Sequence, residues 1–212
     1  MQKIVFCDFD GTITAQETFV AVLKEFAPEL AADLIPQMYA LKITLREGVR
    51  RILESIPSLR LPEIIEFAHT QPMREGLPEL LDFLDLQDVP FVVVSGGLRE
   101  MVEVVMGELV QRTRAIHAIA LDTSDSHFRV LSPYEGKTEL VDKVKVMEMY
   151  PSDEKIAIGD SVTDLNMAIS VPIVFARDRL AQYLQERQKD YIAWNDFFDV
   201  RDALKELWEV RS

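Results

Sequence analysis

Short apolar runs recur along the chain and are separated by longer segments with helical periodicity. The runs cover residues 3–7, 90–94, 155–158 and 172–176. Runs of this length that are apolar on both faces are typical of buried parallel strands. The alternation of such strands with helices predicts an α/β fold built on a Rossmann-like, doubly wound parallel sheet.

Helical periodicity is clearest after the second run. Apolar residues at three- and four-residue steps after Gly97 predict one helix, and a similar pattern predicts a second helix from about Lys137 to near Pro151. The stretch 115–131 differs, because two strand-like runs surround a polar "DTSDS" segment. This pattern predicts a small β-hairpin flap that projects from the sheet.

Residues 15–74 form a long excursion between the first two strands. The segment has helical periodicity and is broken by prolines. It is too long for an ordinary crossover helix. We therefore expect a core of residues 1–14 and 75–212, with residues 15–74 inserted into it as a helical cap.

Composition narrows the classes of partner. The chain has 212 residues, 48% of them hydrophobic, and a formal net charge of -13. This charge argues against binding to nucleic acid or to an anionic membrane. No apolar run is long enough to span a membrane, the start shows no leader pattern, and the single Cys7 cannot form an internal disulfide. We expect a cytoplasmic protein that acts on a small molecule, as a monomer or homodimer.

Polar residues collect at the predicted strand ends and helix starts, where ligands bind in doubly wound folds. Each group alone has an ordinary structural explanation, as an Asp-Gly turn, a tight turn, a solvated lysine or a helix N-cap. Together they compose a complete phosphate site. The candidates are Asp8, Asp10 and Thr12, then Ser95, Gly96 and Gly97, then Lys137, and finally Gly159, Asp160 and Asp164.

The chemistry of this set is that of phosphate-ester hydrolysis. Three acids can hold Mg²⁺, which prefers oxygen ligands. One carboxylate can attack phosphorus and form an aspartyl phosphate, while a lysine neutralises the charge on the transferring oxygens. A second carboxylate can protonate the leaving group and then activate water. Ser95 and the main-chain N–H groups around Gly96 can hold the remaining phosphate oxygens.

The motifs "DFDGT", "VVSGG", Lys137 and "GDSVTD" resemble, in this order, the four motifs of the haloacid dehalogenase superfamily. The resemblance implies Asp8 as the nucleophile and Asp10 as the general acid and base. It implies Ser95, Gly96 and Lys137 as phosphate ligands. It further implies Mg²⁺ held by Asp8, Asp160 and the Asp10 main-chain carbonyl, with Thr12 and Asp164 nearby and Asp164 orienting Lys137 or a water.

The insertion after the first motif looks like the cap of the phosphoserine-phosphatase-like branch. Glu17 matches a glutamate that meets the substrate ammonium in those enzymes. However, "TLREG" puts Gly48 where they carry a carboxylate-binding arginine. Phosphoserine would then need Arg46 or Arg50. On this interpretation, Gly48→Arg should raise activity on phosphoserine.

Several segments resemble more closely the phosphatases of methionine salvage that act on 2-hydroxy-3-keto-5-methylthiopentenyl-1-phosphate. These segments are "FAPEL", "EGVRRIL", "MREG", "SGG", "GDSVTD" and "FARDRL". That substrate has no carboxylate or ammonium, which agrees with the missing arginine. The alternatives are a phosphoserine phosphatase, another small phosphomonoesterase, a phosphotransferase, or a receiver-type signalling domain. A receiver domain would need an acceptor aspartate where this chain has Ser95.

Overall fold

A computed structural model describes residues 2–209, and in it seven strands form one sheet. The sheet order is β4-β3-β2-β1-β5-β6-β7, and only the β3–β4 pair is antiparallel. The strands are β1 (Lys3–Cys7), β2 (Phe91–Leu98), β3 (Ala115–Asp122), β4 (Arg129–Leu131), β5 (Glu154–Gly159), β6 (Ile173–Ala176) and β7 (Ile192–Ala193). The predicted α/β fold with a doubly wound sheet is confirmed.

The central strand β1 sets the position of the polar residues. Ile4 to Cys7 are buried, as expected for a strand covered on both faces. Cys7 pairs with Val93 of β2 on one side and with Ile158 of β5 on the other. Because these strands are parallel, the residues that follow them emerge at one edge of the sheet.

Helices cover the sheet and fill the insertion. They are α1 (Phe19–Phe26), α2 (Pro28–Tyr39), α3 (Leu45–Leu53), α4 (Leu61–His69), α5 (Leu77–Leu86), α6 (Arg99–Met106), α7 (Lys143–Glu148), α8 (Leu165–Ile169), α9 (Asp178–Glu186) and α10 (Phe197–Glu209). Helix α6 packs on β2 and β3, α8 packs on β5, and α5 packs on α10. Within residues 2–209, no helix has the length and apolar character needed to cross a bilayer.

Residues 15–74, which we call the helical insertion, contain α1 to α4. Its interior is apolar, with Val22, Leu34 and Ile52 fully buried. The chain leaves and re-enters the sheet at one place, because Thr14 forms a β-bridge with Met73. The two ends of the insertion therefore meet at the sheet, while α4 packs on α6 and α3 packs on β4.

Three local features differ from the sequence-based expectation. Strand β2 runs on through the "SGG" segment to Leu98, with an irregular register after Val94. The predicted hairpin forms, but its first strand β3 pairs with β2 inside the main sheet, and the loop pairs with the insertion through Pro57 and His127. The difference lies in the first half of β3, which belongs to the main sheet, whereas its continuation from Ala120 to Asp122 pairs with β4 as the predicted hairpin. Helix α7 starts at Lys143, where the Asp142 carboxylate caps it by accepting from the Lys145 N–H.

Candidate active site

A buried ion-pair network lies where β1 ends. The Lys143 ammonium donates to Asp8 Oδ1 and, at 2.6 Å, to Asp164 Oδ1. All three side chains are buried. Burial alone disfavours the ammonium, but attraction by Asp164 and Asp8 outweighs it and raises the pKa of Lys143. A charged lysine is thus fixed against the carboxylate that follows the central strand.

Asp160 follows β5 and faces the turn after Asp8. Its Oδ1 accepts from the Thr12 hydroxyl at 2.8 Å. Gly11 has a φ of +85°, and a Cβ there would lie 2.5 Å from Asp160 Oδ2. The close approach and the left-handed conformation both require glycine at this position. The "DGT" turn thereby brings Asp160 next to the first motif.

Three carboxylates form a compact cluster that fits a hard cation. Oxygens of Asp8, Asp160 and Asp164 lie within 4.8 Å of one another. Burial and repulsion by Asp164 raise the pKa of Asp160 to about 7 and the pKa of Asp8 well above its ordinary value. Oxygen donors of this kind and this mutual repulsion suit Mg²⁺.

The Asp10 carboxylate points away from this cluster, towards the start of the insertion. It accepts from the main-chain N–H groups of Thr18, at 2.6 Å, and Phe19, at 3.1 Å. Burial raises the pKa of Asp10 to about 6, although these hydrogen bonds lower it. Near neutral pH such a group exchanges a proton readily, as an acid-base catalyst must. Glu17 is exposed and lines an adjoining cavity of ≈ 170 Å³.

The turn in β2 supplies polar groups at the same edge of the sheet. Ser95 is buried, and its Oγ accepts from the Gly97 N–H at 3.0 Å. Gly96 is exposed. The Phe19 ring lies beside Gly97, where an added Cβ would meet Phe19 Cγ at 3.4 Å. Helix α1 therefore begins against both Asp10 and the "SGG" turn.

Lys137 does not occupy the position that the sequence predicts for it. It is exposed in the loop before α7, and within residues 2–209 it has neither a hydrogen bond nor an ion pair. Lys143 instead bridges Asp8 and Asp164, so Asp164 holds Lys143 rather than Lys137. Leu140 and Val141 are buried in the loop before α7, although their spacing is helical. The apolar pattern therefore placed the predicted start of the helix too early in the sequence. The N-cap aspartate before "KVKVME" was the signal that would have identified Lys143.

Arg46 and Arg50 are bound to the segment before α7. Arg46 donates to Gly136 O at 3.0 Å, and Arg50 donates to Val130 O at 3.1 Å. Arg50 also pairs with Glu135 at 3.0 Å. Each guanidinium group thus already has acceptors within the protein.

Gly48 faces the interior of the helical insertion. A Cβ at this position would overlap the Met38 side chain and approach Ile43 Cδ1 at 3.2 Å. A side chain at residue 48 would therefore start towards α2. Close packing of α3 on α2 accounts for the glycine.

Comparison with known proteins identifies relatives over nearly the full length. A 2-hydroxy-3-keto-5-methylthiopentenyl-1-phosphate phosphatase of Microcystis aeruginosa is 51% identical over 206 residues, which cover 96% of this chain and 98% of that protein. A protein of the same name from Bacillus cereus (strain AH187) is 32% identical over 219 residues, with 98% of each chain covered.

Solved structures share the fold at low identity. A phosphoserine phosphatase from T. onnurineus superposes with a TM-score of 0.74 at 16% identity, covering 97% of this chain and 95% of that one. A substrate-bound phosphoserine phosphatase complex gives a TM-score of 0.67 at 18% identity and covers 97% and 98%. The family described as haloacid dehalogenase-like hydrolase matches residues 5–168. With this match and the two near-full-length relatives, the chain belongs to the haloacid dehalogenase-like hydrolase family.

Proposed function

We propose that the protein is a phosphatase that hydrolyses 2-hydroxy-3-keto-5-methylthiopentenyl-1-phosphate through an aspartyl phosphate on Asp8. The observation that carries the chemistry is Lys143, whose buried ammonium touches both Asp8 and Asp164. The substrate is that of the Microcystis aeruginosa relative, which is 51% identical. Action in the cytoplasm is part of this proposal, because the relative is named for a small metabolite as its substrate.

In the first step, a carboxylate oxygen of Asp8 forms a bond to phosphorus and the ester oxygen leaves. Lys143 favours the ionised form of Asp8, against burial and the repulsion by Asp164, and offsets negative charge on the transferring phosphoryl group. The hydroxyl of Ser95 and the N–H groups around Gly96 bind the remaining phosphate oxygens. In the second step, water attacks phosphorus, the bond to Asp8 breaks, and inorganic phosphate leaves.

Asp10 handles the proton in both steps. With a pKa of about 6, it gives its proton to the departing oxygen and takes one from the attacking water. The N–H groups of Thr18 and Phe19 orient its carboxylate. Since both donors belong to the start of the insertion, a change in the position of α1 alters the proton-transfer group directly.

Asp8, Asp160 and Asp164 support a Mg²⁺ site, with Asp10 contributing its main-chain carbonyl as the family resemblance implies. When bound, the ion neutralises the carboxylates and the phosphate charge. Thr12 orients Asp160 through its hydroxyl, and Asp164 holds Lys143. The raised pKa of Asp160 is consistent with a site that lacks its positive charge until a cation binds.

We further propose that the helical insertion is a cap that covers the leaving group, over a core of residues 1–14 and 75–212. Substrate choice is then set by its inner surface. An uncharged, apolar leaving group suits this chain because Arg46 and Arg50 are engaged by Gly136, Val130 and Glu135. Binding a substrate carboxylate would require one of them to give up these contacts.

The test is phosphate release with Mg²⁺ and with chelator, on a panel of esters. The panel holds the methylthiopentenyl phosphate, phosphoserine and several sugar phosphates. We expect Mg²⁺-dependent turnover that is at least about tenfold faster in kcat/KM on the first compound, a difference of about 1.4 kcal/mol. Equal or higher kcat/KM on phosphoserine would overturn the substrate assignment, while turnover undiminished by chelator would overturn the metal site.

A further inference from the structure

Arg74 lies where the chain returns from the helical insertion, and the proposed chemistry does not use it. Its guanidinium group donates to three main-chain oxygens of the turn after Asp10, and its own N–H donates to a fourth. The acceptors are Gly11 O at 2.7 Å, Thr12 O at 2.9 Å, Thr14 O at 3.4 Å and, for the N–H, Ile13 O at 2.8 Å. One residue therefore binds every carbonyl of residues 11–14.

A second set of contacts holds Arg74 itself. Its guanidinium carbon lies 5.3 Å from the centroid of the Trp194 ring, and Arg177 lies at the same distance from that ring. Both arginines donate to Asn195 O, at 3.3 Å from Arg74 and 2.8 Å from Arg177. Burial and repulsion by Arg177 lower the pKa of Arg74. Arg74 and Arg177 therefore share one ring and one carbonyl oxygen, which fixes the guanidinium group of Arg74 from the side away from the turn.

The turn held by Arg74 contacts the candidate catalytic residues on both sides. Gly11 packs against the carboxylate of Asp160, and Thr12 donates to the same carboxylate. Asp10 directly precedes this turn. A shift of the turn by a fraction of an ångström therefore moves Asp10 and Asp160 relative to Asp8.

We propose that Arg74 is a positioning residue, which fixes the 11–14 turn and through it the placement of Asp10 and Asp160. This inference rests on the proposed function. The chemical property it requires is the planar fork of the guanidinium group, which reaches several carbonyls at once. A lysine offers one compact donor group and cannot replace that fork.

The experiment compares Arg74→Lys with wild type in steady-state kinetics and in calorimetric titration with Mg²⁺ alone. We expect kcat to fall by about 10- to 100-fold, since misplacement of a catalytic group by about 1 Å has an effect of this size. KM for the ester should change by less than about threefold, because Arg74 binds main chain and not substrate. The Mg²⁺ dissociation constant should rise by about tenfold, as for loss of an outer support of a metal ligand.

Arg112→Lys is the matched control. Arg112 is also half-buried and makes several contacts, to Asp82, Asp85 and Pro78 O, at α5 rather than at the turn. Its replacement should lower the melting temperature without changing kcat or Mg²⁺ binding. Millimolar guanidinium ion should restore part of the kcat of Arg74→Ala and none of the melting-temperature loss of Arg112→Ala.

Arg74→Lys with kcat within about twofold of wild type and unchanged Mg²⁺ affinity would overturn the inference. If that variant does not fold, Arg74→Gln takes its place, and unchanged kcat and Mg²⁺ affinity there would have the same meaning. A wild type that is inactive on every ester would refute the proposed function, whereas the Mg²⁺ titration would still test Arg74.

Discussion

The catalytic edge of the sheet and the helical insertion are held by opposite kinds of interaction. At the edge, the buried carboxylates of Asp8 and Asp164 pair with the buried ammonium of Lys143. Asp164 also accepts from the Asp160 N–H, and the Asp160 carboxylate accepts from the Thr12 hydroxyl. In the insertion, the interior is apolar, and arginines bind it to the sheet region through carbonyl oxygens. At the edge of the sheet, three buried carboxylates share one buried ammonium, so like charges repel there. The interior of residues 15–74 is instead packed by apolar side chains.

From this difference we infer that the edge of the sheet carries the reaction and that the helical insertion carries the choice of substrate. In the proposed mechanism, the buried network at the strand ends acts on the phosphoryl group, whatever the leaving group. A helical layer packed by apolar side chains can change its inner surface without disturbing that network. Substitutions at the edge should therefore act on turnover, and substitutions in the insertion should act on stability and substrate choice.

Asp8→Asn should have the largest effect on turnover of all substitutions at the edge of the sheet. The amide cannot attack phosphorus, so we expect kcat to fall by at least about 10⁴-fold. Its side-chain oxygen can still accept from Lys143, so the fold should persist. The measurements are phosphate release and circular dichroism on the same sample. Turnover near the wild-type value would remove Asp8 from the nucleophile position.

Lys143→Met compared with Lys137→Met should give the next largest effect. Removing the buried ammonium eliminates the cation that pairs with Asp8 and Asp164, and we expect about a 10²- to 10³-fold loss of kcat. The exposed Lys137 should be replaceable with less than a twofold change, about 0.4 kcal/mol. Folding of Lys143→Met is checked by its melting temperature, and Lys143→Arg serves as the variant that keeps the charge. A larger loss of kcat in Lys137→Met than in Lys143→Met would restore Lys137 as the phosphate ligand.

The two lysines show where sequence reasoning reached the site and where it stopped. Asp8 and Asp160 were predictable because each directly follows a strand whose apolar run is unambiguous. Lys143 lies after an irregular loop. The number of residues between the preceding strand and this lysine therefore follows from no regular pattern in the sequence. A motif defined by one lysine therefore cannot be located by pattern alone, although the N-cap Asp142 marks the correct helix start.

Tertiary contacts decided the other differences. Strand β7 has two residues, Ile192 and Ala193, and carries no periodic signal of its own. Asp10 binds main-chain N–H groups, and Arg74 binds four main-chain carbonyls. Because every residue has such main-chain groups, the sequence does not show which of them are bound. Conversely, the helices of the insertion were predictable because their apolar residues recur at helical spacing.

Gly48→Arg tests how strongly the stability of the helical insertion depends on its apolar packing. The new side chain starts towards Met38 and Ile43, so it either overpacks the α2–α3 contact or buries a charge. We expect the free energy of unfolding to fall by about 3 kcal/mol. Gly48→Ala is the matched control, in which a gain in helix propensity of about 1 kcal/mol offsets the contact with Met38. Urea denaturation measures both variants. Full stability of Gly48→Arg together with new phosphoserine turnover would show that residue 48 reaches the substrate.

Asp160→Asn should change the free energy of unfolding in the opposite direction to Gly48→Arg when Mg²⁺ is left out. The pKa of Asp160 is raised to about 7 by burial and by Asp164, so ionising it costs the folded protein. A raised pKa contributes stability below the unfolded value of about 4, and this stability is lost as pH rises through 7. Without Mg²⁺, the asparagine variant should therefore gain stability relative to wild type as pH rises from 4 to 8.

Asp122→Asn provides the contrast in sign, because a hydrogen bond from the Ser124 N–H lowers the pKa of Asp122. That variant should be less stable than wild type at neutral pH and should approach it as pH falls. Urea denaturation across this pH range, with and without Mg²⁺, measures both differences. Mg²⁺ should stabilise wild type at pH 8 and have much less effect on Asp160→Asn. A Mg²⁺ response that survives in the variant would mean that Asp8 and Asp164 hold the cation without Asp160, and would remove Asp160 from the proposed Mg²⁺ site.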